Sequence, residues 1–175
     1  MRASADSARV FFALWPDEAA RAALARLAAN MRGECGGRTV PARNLHLTLA
    51  FIGNIHADRA ARLLEIAANV AAPSFAMTLD AVGYWRHNRI VWAGPRECPI
   101  PLRRLVAALE SSLRDGNVRF DERPYAPHVT LLRDARAAPL AQATDGIAWR
   151  ADDFALVRSV RGDGGPLYEV IGRWP

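Results

Sequence analysis

A chain of 175 residues with 51% apolar side chains has enough material for a hydrophobic core, in one domain or two joined lobes, and is not an intrinsically disordered polypeptide. No apolar run approaches the roughly 18 residues of a membrane-spanning helix, and the polar residues 1–9 lack the apolar stretch of a signal peptide. The net charge of +5 and pI near 10.2 favour polyanionic partners, but every basic side chain is arginine, a compositional bias that leaves arginine identity by itself with little weight.

Residues 10–15 form an apolar run that reads as a buried strand. Pro16 and Asp17 then open a helix to about residue 34. Leu24, Leu27 and Met31 recur in it at helical spacing, and Gly36-Gly37 ends it. Residues 45–52 read as the next strand, with a turn at Gly53-Asn54. A second helix is predicted from Asp58 to about residue 72, with Leu63, Ile66 and Val70 on one face. Residues 75–85 alternate as a strand with Phe75, Met77, Leu79 and Ala81 on one side, and His87-Asn88 is the tip of a hairpin returning over residues 89–93. Pro99 and Pro101 introduce a third helix to about residue 114, with Leu102, Leu105, Val106 and Leu109 as its buried stripe and Asp115-Gly116-Asn117 as its stop. Residues 125–132 form another strand, and residues 153–160 and 167–174 a final hairpin around the glycine-rich segment 162–165.

Two of these strands carry one pattern written twice, His-apolar-Thr-Leu, as His46-Leu47-Thr48-Leu49 and His128-Val129-Thr130-Leu131. Strand residues i and i+2 share a face, so each segment aims an imidazole and a hydroxyl one way and its apolar residues the other. One such segment also reads as an ordinary amphipathic strand; a matched pair argues for convergence on one pocket. Two imidazoles can divide proton removal and proton donation on the two sides of a phosphate, and the threonine hydroxyls can hold its nonbridging oxygens. Arg133 is a candidate phosphate clamp, although its odd spacing from His128 requires the strand to end or twist. A zinc site needs three or four ligands, and neither motif strand offers Asp, Glu or Cys, so no metal is expected. Cys35 and Cys98 read as reduced thiols, and His56 and His87 as solvated loop residues. Phe11, Phe12, Trp15 and Tyr125 read as core, with an aromatic at a strand end able to stack on a base. Each half of the chain also repeats a helix, a proline-containing loop and a histidine strand, which predicts a two-lobed α+β protein with pseudo-twofold symmetry and the equivalent strands at its centre.

With these motifs the chain resembles the two-histidine (2H) phosphoesterases, and within them the bacterial and archaeal RNA 2′,3′-cyclic phosphodiesterases, also called 2′-5′ RNA ligases. Beyond the two motifs, the resemblance runs through Arg9-Val10-Phe11-Phe12-Ala13-Leu14, Asn44-Leu45 before His46, Ala50-Phe51-Ile52-Gly53 after Leu49, Pro127 before His128, Leu132-Arg133, and Tyr168-Glu169-Val170. It implies a single bilobal α+β domain over residues 1–175, with residues 1–8 a flexible N-terminus, two antiparallel sheets related by a pseudo-twofold around a central cleft, and helices outside. It implies hydrolysis of RNA 2′,3′-cyclic phosphate ends to 2′-phosphates with no metal or cofactor, and 2′-5′ ligation as a companion reaction. His128 would be the general base and His46 the general acid, with Thr48, Thr130 and Arg133 holding the phosphate. The expected partner is RNA with a cyclic phosphate end or a nucleotide analogue, met by a cytoplasmic monomer away from membranes. Two other readings of the residues stay open: a 2H phosphodiesterase for 2′-5′ oligonucleotides or small cyclic nucleotide phosphates, and a noncatalytic RNA-binding module.

Overall fold

The two histidine strands are direct neighbours in the middle of an antiparallel sheet. The computed structural model describes residues 7–162 and 165–175; residues 1–6 of the expected flexible N-terminus and 163–164 of the expected hairpin tip lie outside them. In chain order the elements are β1 (Ser7–Leu14), α1 (Glu18–Cys35), β2 (Arg38–Thr39), β3 (Leu47–His56), α2 (Ala60–Ala67), β4 (Phe75–Trp85), β5 (Ile90–Gly94), α3 (Ile100–Asp115), β6 (Val129–Arg133), β7 (Ala143–Ala151), β8 (Phe154–Gly162) and β9 (Gly165–Trp174). Ser7 and Ala8 of the expected flexible segment belong to β1.

The strand order is β7-β4-β5-β6-β3-β1-β8-β9, with β2 hydrogen-bonded to β6. The two halves, β6-β5-β4-β7 and β3-β1-β8-β9, meet through a single register pair, Leu47↔Val129. The two expected sheets are therefore two wings of one hydrogen-bonded network hinged at its centre. The unit β1-α1-β3 recurs as β5-α3-β6, and the pseudo-twofold passes between β3 and β6.

Each wing buries the alternate side chains of its strands. Leu47, Leu49, Val129 and Leu131 join Leu24, Leu63, Leu102 and Leu109 of the three helices in one core. The other face of β1 and β8 carries a smaller cluster, Phe11, Ala13, Ala155 and Val157, flanked by Trp15, Phe51 and Tyr168. β1 is thus buried on both sides, which is why its sequence is an unbroken apolar run.

Local chemistry accounts for most boundaries. The Asp17 carboxylate accepts the Ala20 N–H at 2.8 Å to start α1, and the Gly36 N–H donates to the Arg32 carbonyl to end it. The buried stripe of α1 is Ala20, Leu24 and Ala28, while Leu27 and Met31 are only half-buried against the core. α3 buries the four expected residues and Leu113 as well. α2 is shorter than predicted: residues 57–59 make a 3-10 turn, and the Asn69 side chain donates to the Glu65 carbonyl at 2.9 Å just past the last helical residue.

The expected turn at Gly53-Asn54 is instead a bulge inside a longer strand. Val10 pairs with Gly53 and Phe11 with Phe51, leaving Ile52 as an extra residue, and Gly53 takes φ +87°. β7 was not anticipated. Its alternation, with Ile147, Trp149 and Ala151 buried, starts only after Asp145-Gly146 and was masked by that turn-like pair.

Candidate active site

The structure brings His46, Thr48, His128, Thr130 and Arg133 to the wall of one cavity of about 670 Å³ on the sheet face away from the helices. The strands start one residue after each histidine rather than before it, so both imidazoles stand at the mouth of the central strand pair. Leu47 and Val129 pair directly and are fully buried. Carrying that antiparallel register one residue either way sets His46 opposite Thr130 and Thr48 opposite His128, at the roughly 5 Å Cβ spacing of cross-strand neighbours. Each histidine position therefore falls opposite the other motif's threonine position.

The lead-in to each strand fixes its histidine in the same way. His46 Nδ1 lies 2.7 Å from the Asn44 carbonyl, and His128 Nδ1 lies 2.7 Å from the Ala126 carbonyl. A carbonyl only accepts, so in both rings Nδ1 carries the hydrogen and Nε2 is left to exchange protons. The lead-ins are themselves held. The buried Asn44 side chain donates to the Pro166 carbonyl at 2.8 Å, and the Tyr125 hydroxyl donates to the Thr48 carbonyl at 3.1 Å, which ties the two motifs together.

Arg133 reaches the cavity through a bulge near the end of β6. Val91 pairs with Leu132 but Trp92 pairs with Thr130, so Leu131 is a bulge on β6. Leu131 and Leu132 are both buried, the alternation slips by one, and Arg133 returns to the Thr130 side. β3 does the same: Phe12 pairs with Ala50 and Ala13 with Thr48, leaving Leu49 as the extra residue. The symmetry-equivalent of Arg133 is then Phe51, over whose ring Arg9 lies at 4.8 Å. One wing thus offers a guanidinium and the other an aromatic ledge. Arg133 has no carboxylate partner among the described residues, whereas its sequence neighbour Asp134 pairs with Arg38 and Arg89.

Four aromatic residues surrounding the histidines were not singled out as site residues by sequence. His46 is stacked on Phe11 at 4.8 Å and on Trp15 at 5.3 Å, with Tyr168 edge-on at 5.2 Å. His128 meets Trp85 at 4.4 Å with the rings at 74°. The available signal was the alternation Phe11, Ala13, Trp15, which places these side chains on the cleft face of β1 while Val10, Phe12 and Leu14 face the helices. His56 is exposed at the end of β3, and His87 sits in the β4–β5 turn at the cavity rim.

Burial lowers His46 to about 4, assisted by the nearby positive charges of His128 and Arg133 and opposed by its bond to Asn44. Burial also lowers His128, and Arg133 acts in the same direction. Both imidazoles are therefore neutral near pH 7. An incoming phosphodiester anion offsets Arg133 and favours uptake of one proton by the pair. Among the described residues no three His, Cys, Asp or Glu side chains converge as a metal site. No helix among them is long and apolar enough to cross a membrane.

The profile of the family described as LigT-like phosphoesterase matches residues 14–92 and again residues 93–168, one copy for each histidine motif. The chain belongs to this family. The double match divides this LigT-like phosphoesterase within β5, the strand that opens the repeat of β1-α1-β3. A protein of Escherichia coli strain K12 named RNA 2′,3′-cyclic phosphodiesterase is 38% identical to it over 140 residues, covering 79% of each chain. The crystal structure of E. coli LigT in its apo form superposes with a TM-score of 0.87 at 34% identity, covering 97% of this chain and 98% of that one. A crystal structure of E. coli LigT complexed with 3′-AMP gives 0.83 at 33% identity, with the same coverage.

Proposed function

We propose that this LigT-like phosphoesterase hydrolyses RNA 2′,3′-cyclic phosphate ends to 2′-phosphates by acid and base catalysis between His46 and His128, without a metal. The observation that carries the reading is the equivalence of the two motifs about one cavity: each Nδ1 is tied to a carbonyl, which leaves two Nε2 atoms to serve opposite sides of one phosphorus. His128 takes a proton from water as the water oxygen bonds to phosphorus. The bond from phosphorus to O3′ breaks, and His46 delivers its proton to the departing oxygen. Thr48, Thr130 and Arg133 bond the nonbridging oxygens as charge accumulates on them. A 5′-hydroxyl in place of water would form a 2′-5′ linkage by the same transfers, and cleavage of that linkage reverses the two roles. The free thiols Cys35 and Cys98 fit a reducing cytoplasm, and RNA ends or nucleotide analogues are the partners of a monomer.

The test is incubation with an oligonucleotide ending in a 2′,3′-cyclic phosphate, in the presence of EDTA. A 2′-phosphate product is expected; an unchanged substrate or a 3′-phosphate refutes the reading. The roles are separated by replacing the leaving 3′-oxygen with sulfur, which departs without a proton. That substrate should restore turnover to His46→Ala and leave His128→Ala inactive.

A further inference from the structure

The two motifs share sequence, register and Nδ1 hydrogen bond, so nothing within them decides which histidine is the acid. Their surroundings differ. The His46 ring lies between the faces of Phe11 and Trp15, at interplanar angles of 27° and 16°. His128 has no such sandwich among the described residues; its contact with Trp85 is T-shaped. The face of an aromatic ring is the negative pole of its quadrupole, and a cation stacked on it is stabilised, more so when water is excluded.

Resting on the acid and base assignment above, we propose that Phe11 and Trp15 are positioning residues that give His46, and not His128, the proton in the substrate complex. No other group near His46 supplies a counter-charge. His128, just before β6, and Arg133 at its end oppose protonation, Arg9 on β1 is occupied over Phe51, and Tyr168 on β9 is a neutral ring in T-shaped contact. In the α3–β6 connection Asp121 is bound to Arg123, and Glu110 on α3 is paired with Arg114. The phosphate anion and the two ring faces are what remain to favour the imidazolium. Burial by itself prevails against the proton; once a phosphate anion has offset the positive charges, the sandwich selects the ring that charges.

The test is the pH dependence of kcat for wild type, Phe11→Leu, Trp15→Leu and Trp15→Phe. Turnover requires His46 protonated and His128 neutral, so loss of the His46 proton sets the high-pH limb. Removing one ring face should move that limb down by about half a unit to one unit while the low-pH limb stays. Trp15→Phe should restore its position. Trp15 lies beyond the end of β1 and is only half-buried, so its variants do not depend on Phe11→Leu folding. The ¹⁵N shift of the His46 imidazole with inorganic phosphate bound should report the same displacement. A uniform fall in kcat with both limbs in place would reduce the aromatics to packing and overturn the proposal. Movement of the low-pH limb instead would make His46 the base and sink the role assignment, a failure that the 3′-sulfur substrate detects independently.

Discussion

Replacing His46 with glutamine should flatten the acid side of the stability curve. An imidazole in the unfolded chain takes its proton near 6.5, whereas folded His46 takes one only near 4. Between those values the unfolded chain binds more protons than the folded one, so stability falls as the pH falls. The contribution is intact above the unfolded value, shrinks through the window and is gone below about pH 4. At about 1.4 kcal/mol per unit, the gap corresponds to about 3 kcal/mol. That is a large share of the roughly 5–15 kcal/mol that holds a domain of this kind together. His128 is displaced in the same direction, so the informative contrast is wild type against His46→Gln with His128 retained in both. Urea denaturation at several values between about pH 7 and pH 4 gives the free energies, with an unchanged slope in denaturant confirming a common unfolded state. Relative to wild type, the variant should gain about 3 kcal/mol across the window. A constant difference between the two proteins at every pH would show that His46 is not held neutral by burial.

Four other outcomes follow from the same geometry. Arg133→Ala should weaken binding of inorganic phosphate by about tenfold to a hundredfold, measured by calorimetry, and Arg133→Lys should recover only part, because the ammonium lacks the planar fork. Gly83→Ala should lower the melting temperature by an amount corresponding to about 1–3 kcal/mol and reduce kcat, because the added Cβ would lie 2.2 Å from the Trp92 ring, which packs tilted at 5.7 Å from Trp85, the neighbour of His128. Asn44→Leu should cost about 0.5–1.5 kcal/mol in chemical denaturation by removing the hydrogen bond to the Pro166 carbonyl. Phosphodiesterase activity should be the same before and after EDTA treatment; a loss restored by a divalent cation would contradict catalysis by the histidines alone.

The chemistry was legible in the sequence because it is local. An imidazole and a hydroxyl two residues apart share a strand face wherever the strand goes, and the apolar residues between them give that face its direction. The helices were legible for the same reason: the Asp17 cap and the Leu102, Leu105, Val106, Leu109 stripe act over one to three turns. β7 escaped because its alternation is short and begins at a turn-like Asp-Gly pair, so only pairing with β4 makes it a strand.

The sequence by itself determined that two acid/base groups with matched hydroxyls exist and that a duplicated α+β chain carries them. Only the tertiary structure decided which other side chains meet them. Arg133 faces the cavity because β5 pairs with Thr130 and Leu132 and forces Leu131 out of register, a mismatch that no single strand encodes. Phe11, Trp15 and Tyr168 reach His46 because β1 lies between β3 and β8, which packs residues distant in the chain around one ring. Side-chain periodicity is a property of a strand; phase slips and cross-strand neighbours are properties of the sheet, and they appear only once the partners are in place.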